Sequence, residues 1–133
     1  MAKPFRASEA QILSSILEYL KYEQKVAWYA RINTGAVKFD NNRFVKFAFK
    51  GCADIIGQLK TGEFLAIEAK RVGEIPTEAQ DEFLHKVDSN KGRAGYATSV
   101  VEAEHIVKGR LSYAEQRPHV LQRLNKQAYG GLK

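Results

Sequence analysis

Three ionisable residues, Asp54, Glu68 and Lys70, stand inside apolar, strand-like sequence between Gly51 and Arg71. The run Phe64-Leu65-Ala66-Ile67 has the composition of a buried strand, yet it leads straight into Glu68-Ala69-Lys70. Charge in such a place is costly unless something compensates it. Lys60-Thr61-Gly62 fits a three-residue hairpin loop, with Gly62 taking the left-handed conformation that a β-carbon disfavours. That loop sets Leu59 opposite Glu63 and, further along both strands, Asp54 opposite Glu68. Two carboxylates facing each other across a strand pair repel. A divalent cation between them reverses the sign, because hard oxygen ligands at roughly 2 Å are what Mg²⁺ accepts. Alternation with period two then places Lys70 on the same face as Glu68. The chemistry such a set supports is metal-assisted activation of water, with the positive charge of the lysine beside the ion.

The elements that must position these residues can be read from periodicity and punctuation. Residues 8 to 21 read as an amphipathic helix, opened by a Ser8/Gln11 capping box and carrying Ile12, Leu13, Ile16, Leu17 and Leu20 on one face. Glu9 begins this buried stripe; it either complements the helix dipole or joins the site. Residues 25 to 32 suit a first strand, followed by a turn at Asn33-Thr34-Gly35 and an aromatic strand from Phe44 to Phe49. The two strands of the hairpin come next. Pro76 and Thr77 open a second helix with Gln80, Phe83, Leu84 and Val87 on one face, so Gln80 is either the partner of a Thr77 capping box or a site residue. Gly92 to Gly95 punctuates the chain before a last strand, Tyr96 to Val100, and Ser99 with Glu102 caps a short helix ending near Gly109. A final helix is expected from Pro118 to Gly130-Gly131, with Val120, Leu121 and Leu124 as its apolar side. The order α-β-β-β-β-α-β-α plus a C-terminal helix makes an α/β domain whose mixed sheet is flanked by helices. Residues 1–109 form the main unit, and 110–133 a basic helical extension of the same domain.

Gly51-x-x-Asp54, the glycine that follows, Phe64-Leu65-x-Ile67-Glu68-x-Lys70 and a helix carrying Gln80 together resemble the VRR-NUC domain of the PD-(D/E)xK nuclease superfamily, in a small stand-alone form. The resemblance takes in Glu9 and runs from about residue 8 to 107; Ala53 stands where the superfamily's name has proline. It implies a restriction-endonuclease-like core and a metal-dependent DNA endonuclease. Asp54, Glu68, the backbone carbonyl of Ala69 and Glu9 would bind Mg²⁺ or Mn²⁺, and Lys70 and Gln80 would act beside them. It further implies structured DNA as substrate, four-way junctions foremost and flaps or forks next, cut by a homodimer. A nucleic-acid-binding module that keeps the fold without the catalysis is the rival reading.

Length and composition agree with one soluble domain: 133 residues suffice for a single core. The net charge of +6 fits a nucleic-acid partner without requiring one. Most of the excess lies in the tail, where Arg110, Arg117, Arg123, Lys126 and Lys133 face only Glu115. Arg31, Lys46, Lys50 and Arg71 are the candidate nucleic-acid contacts; on the aromatic strand, Lys46 and Lys50 suit either phosphates or plain solvation. The single cysteine, Cys52, excludes an internal disulfide and a cysteine-based zinc cluster, and reads as a small buried residue. His85, His105 and His119 are scattered without zinc spacing, and neither a Walker loop nor a dinucleotide fingerprint occurs. Tyr19, Tyr22, Trp28 and Tyr29 suit a core or an interface better than a base-stacking platform. No apolar run approaches the ~20 residues of a membrane span, so a cytoplasmic protein is expected.

Overall fold

A computed structural model describes residues 6–32, 36–38, 44–46 and 49–129. The expected turn at 33–35 and the stop at Gly130-Gly131 lie outside these residues, as do the side chains of Lys46 and Phe47. The chain runs α1 (Glu9–Tyr22), β1 (Val26–Arg31), β2 (Ala36–Lys38), β3 (Phe44–Lys46), β4 (Ile55–Leu59), β5 (Phe64–Ala69), α2 (Glu78–Ser89), β6 (Arg93–Ala97), α3 (Val100–Val107) and α4 (Tyr113–Tyr129). The α/β class holds: a four-stranded sheet in the order β1-β4-β5-β6 is antiparallel except for the parallel pair β5-β6. The strand order corrects the expected one, because five strands precede α2. The additional short strand, β2, pairs with β3 as a separate two-stranded sheet, so β3 does not join the main one.

The hairpin register follows from the turn. Gly62 donates its N–H to Leu59 O and Leu59 donates to Glu63 O, both at 2.9 Å, while Gly62 adopts φ +106°. Ile55 therefore faces Ile67 and Gln58 faces Phe64. Continued by one pair, the same register aligns Asp54 with Glu68.

Alternation along β5 divides the core into two layers. Leu65, Ile67 and Ala69 pack with Ile12, Ile16 and Leu20 of α1 and Ile106 of α3, whereas Ala66 packs with Leu84 of α2 and Tyr113 and Val120 of α4. Both α1 and α2 begin as their sequences require: Ser8 with Gln11, and Thr77 with Gln80, form complete capping boxes. Gly51 fixes how the hairpin meets α2. Its φ is +87°, and a β-carbon there would collide with the backbone of Ala79.

Three boundaries differ from expectation: β6 ends at Ala97, because Ser99 caps α3 and Val100 opens that helix instead of closing the strand, and two others differ for packing reasons. β6 starts at Arg93, so Gly95 lies within a strand instead of ending a turn. A β-carbon on it would stand 2.7 Å from Gln116 Oε1 and 2.8 Å from Ile106 Cδ1. The glycine thus admits Gln116, whose carboxamide accepts from Tyr96 N–H at 3.0 Å and donates to Tyr96 O at 2.8 Å, closing hydrogen bonds along the sheet edge. The last helix starts at Tyr113, ahead of Pro118, because Ser112 and Glu115 exchange side-chain and backbone hydrogen bonds that cap it. Pro118 sits in the second turn, and Leu121 is exposed, leaving Tyr113, Val120 and Leu124 as the packed side.

The C-terminal helix is tied to α2 by a buried polar network. Asp81, 2% exposed, accepts from the Tyr113 hydroxyl at 2.6 Å and from Arg117 Nε and Nη2 at 3.0 and 3.2 Å. Burial and then the bond to Asp81 push the Tyr113 pKa upward, so its hydroxyl stays a donor. Removing Arg117 would leave a carboxylate with half its partners in a dry site. Arg117→Met should lower stability by about 1–3 kcal/mol in urea unfolding with the slope unchanged. An unaltered midpoint would show that solvent already satisfies Asp81.

Candidate metal centre

The end of the hairpin places acidic groups from both layers at one margin of the sheet. Asp54 is held twice: its carbonyl accepts from Ile32 N–H at 2.7 Å, and its Oδ2 accepts from Ala69 N–H at 2.9 Å. The first bond joins it to the chain beyond β1 and the second to β5. Its carboxylate therefore sits against the end of the strand that carries Glu68. Glu68 and Lys70 follow Ala66 in period two, on the side of the sheet that faces α2 and α4. Glu9 arrives from α1, in the opposite layer.

One carboxylate oxygen from each of Glu9, Asp54 and Glu68 lies within 4.8 Å of the others. That limit is slightly wider than the roughly 4 Å separating oxygens on opposite sides of a Mg²⁺ with ligands at ~2.1 Å. Glu68 is 1% exposed, and its Oε2 has no hydrogen-bond partner among the described residues. A buried carboxylate oxygen with nothing to accept from is an unmet demand for a cation or a proton. The donor set, all carboxylate oxygen, suits a hard divalent ion.

The electrostatics express the same demand. The Glu68 carboxyl is pushed up to about 9, first by burial and then by the hydrogen bond and charge of Asp54; Lys70 works against the rise and Glu9 adds to it. Cys52, buried beside this group, has its thiol pKa raised by burial and by the negative charge of Glu68 and Asp54. It is therefore a packed thiol, as its sequence context suggested. Lys70 is 8% exposed and donates its backbone N–H to Ala97 O at 3.0 Å, so β6 fixes the residue at the end of β5.

The remaining candidates are distributed around this centre. Ala69 is fully buried at the end of β5, its N–H engaged by Asp54. Gln80 is half-buried on α2, where its Oε1 accepts from Thr77 N–H at 2.9 Å; the cap leaves its Nε2 for other partners. Arg31 is exposed at the end of β1, paired with Ile55 next to Asp54, and Lys50 is exposed in the turn before Cys52. Arg71 follows Lys70 directly, with its Nε 3.8 Å from Glu74. Among the described residues no helix is long and apolar enough to cross a membrane.

The strain at Glu68 has a measurable consequence. Its folded-state pKa lies above the ordinary value of 4.5, so the bound proton stabilises the metal-free fold fully below that pH. The contribution is lost as pH rises through about 9. Glu68→Gln keeps the shape and removes the titration. In EDTA at pH 8 to 9 this variant should be more stable than the parent by about 1–3 kcal/mol, with the difference shrinking towards pH 5. Thermal unfolding across that range checks it; a variant less stable at every pH would contradict it.

No protein-family model, curated protein or solved structure matches the chain, which leaves the geometry of Glu9, Asp54, Glu68 and Lys70 as the ground for a functional reading.

Proposed function

We propose that the chain is a metal-dependent nuclease that hydrolyses phosphodiester bonds in DNA. The observation that carries this reading is the approach of Glu9, Asp54 and Glu68 to within 4.8 Å of one another, together with a buried Glu68 oxygen that has no partner among the described residues. Asp54, Glu68, Glu9 and the carbonyl of Ala69 would hold Mg²⁺ or Mn²⁺. Such an ion, when bound, supplies Lewis acidity: it lowers the pKa of water and neutralises charge on a phosphate. The protein's own residues do the rest. Asp54 is kept in place by Ala69 N–H and Ile32 N–H, so the acids are oriented before substrate arrives. Lys70, buried next to Glu68, brings a positive charge to the phosphoryl oxygens as they gain negative charge in the transition state. Gln80, through the amide end its cap leaves unused, would orient water or phosphate.

The finer reading, a restriction-endonuclease-like core of VRR-NUC type, draws support from the ordered set Glu9, Asp54, Glu68-x-Lys70 and Gln80 on a mixed sheet between helices. The net charge of +6 favours a polyanionic substrate. Arg31, Lys46, Lys50 and Arg71 would contact its backbone. Structured DNA is the proposed substrate class, with four-way junctions ahead of flaps and forks. A homodimer would set two such centres on a two-fold junction.

The test is a panel of four-way, flapped, single-stranded and duplex DNA, incubated with Mg²⁺ and with EDTA. Cleavage is expected with Mg²⁺ alone, strongest on branched DNA. Asp54→Asn keeps an oxygen for Ala69 N–H and Lys70→Ala removes only the side chain. Each should reduce the rate at least about 100-fold while the thermal midpoint stays near that of the parent. Cleavage persisting in either variant, or in EDTA, contradicts the assignment.

A further inference from the structure

The segment that follows Lys70 carries one arginine and gathers two more from distant parts of the chain. Arg6, just before α1, donates through Nη2 to Val72 O. Arg123, in α4, donates through Nη1 to Gly73 O at 2.6 Å. Arg71 belongs to the segment itself; its side chain is 40% exposed, while its Nε is buried without a hydrogen-bond partner among the described residues, 3.8 Å from the Glu74 carboxylate. Arg6 Nη2 lies 3.9 Å from where a Gly73 β-carbon would stand, so the Arg6 and Arg123 guanidinium groups sit within roughly 10 Å of each other, about one Debye length. Three like charges thus share three consecutive residues, 71 to 73, and Glu74 offsets one of them. Bracing a loop needs donors and not charge, and neutral side chains would brace it without the repulsion. A guanidinium bonded once to a carbonyl still has several N–H groups to offer.

The location indicates what those groups face. Gly73 is three residues past Lys70, which even a fully extended chain keeps within roughly 10 Å. The loop that Arg6 and Arg123 hold therefore starts next to Lys70 and stays within roughly 10 Å of it. We propose that Arg6, Arg71 and Arg123 form a binding site for the phosphodiester backbone of nucleic acid, one or two phosphates away from the bond presented to Asp54 and Glu68. The inference rests on the nuclease reading for its second half only. Its planar donors suit phosphate oxygens better than lysines do, and the loop carbonyls preorient them. Arg6 and Arg123 are 117 residues apart in sequence and join the site only through the fold.

Fluorescence anisotropy with a labelled four-way junction and a labelled single strand tests this, in EDTA over a series of KCl concentrations. Replacing both Arg6 and Arg123 by Gln should weaken binding about 10- to 100-fold at low salt and reduce the slope of log affinity against log salt by about two. The paired change to Lys should retain most of the slope. Arg6→Gln alone, at an exposed position, should lower the slope by about one and covers the case in which the double variant unfolds. Unchanged slopes, with or without a drop in thermal midpoint, would show that the arginines only brace the loop and would overturn the proposal. Salt-sensitive binding lost in the variants, without Mg²⁺-dependent cleavage by the parent, would uphold this site and reject the nuclease. A parent that binds neither DNA overturns the arginine site, and the nuclease reading then stands or falls on the Mg²⁺ cleavage panel alone.

Discussion

The buried repulsion between Asp54 and Glu68 is the constraint around which the rest of the molecule is arranged. A carboxylate 1% exposed at the end of a strand is held against a second one, which is itself fixed by hydrogen bonds to two neighbouring strands' chain segments. Without a cation, burial and then the neighbouring Asp54 push the Glu68 carboxyl well above the usual carboxylate range, which favours its protonated form. Packing alone would be better served by apolar side chains of similar volume, because buried charge is a poor source of stability. The arrangement is therefore one that gives up stability locally and makes sense as a place where a cation is taken up.

Several elements of the surrounding fold meet at that point. The tight turn at Gly62 sets the register that aligns Asp54 with Glu68. Gly51 lets the hairpin lie against the first turn of α2, and Ala97 holds the backbone of Lys70. On the far side of the sheet α1 is anchored by Ile12, Ile16 and Leu20, so that Glu9 in its first turn reaches the margin where the other two acids meet. The Asp81-Tyr113-Arg117 network then locks α4 to α2, and with it brings Arg123 to the loop after Lys70.

What could be read in the sequence was local. The hairpin register was legible because a three-residue turn with glycine at its end fixes every later pair, and both capping boxes were legible because their partners are three residues apart. Where partners are far apart the sequence was silent. Nothing nearby distinguishes Asp81 from the exposed Glu78, since its partner Arg117 is 36 residues away, and the Arg6 and Arg123 contacts span 66 and 50 residues. Gly95 looked like punctuation because a glycine needed for close approach of Gln116 and Ile106 has the same letter as one needed for a turn. Pro118 looked like a helix start because the Ser112-Glu115 cap ahead of it is a weaker signal than proline. The convergence of Glu9 on the hairpin acids could be suspected from its position on the apolar stripe, but only the packing of α1 across the sheet brings it there.

The central claim is that Glu9, Asp54 and Glu68 together take up a divalent cation. Calorimetric titration of the protein with Mn²⁺ at pH 7, in two buffers of different ionisation enthalpy, measures both binding and proton exchange. Saturable binding with release of about one proton is expected, because an ion must displace the proton that burial keeps on Glu68, and Asp54→Asn should weaken or abolish it. Absence of binding at millimolar Mn²⁺, or binding of equal strength in that variant, would contradict the account.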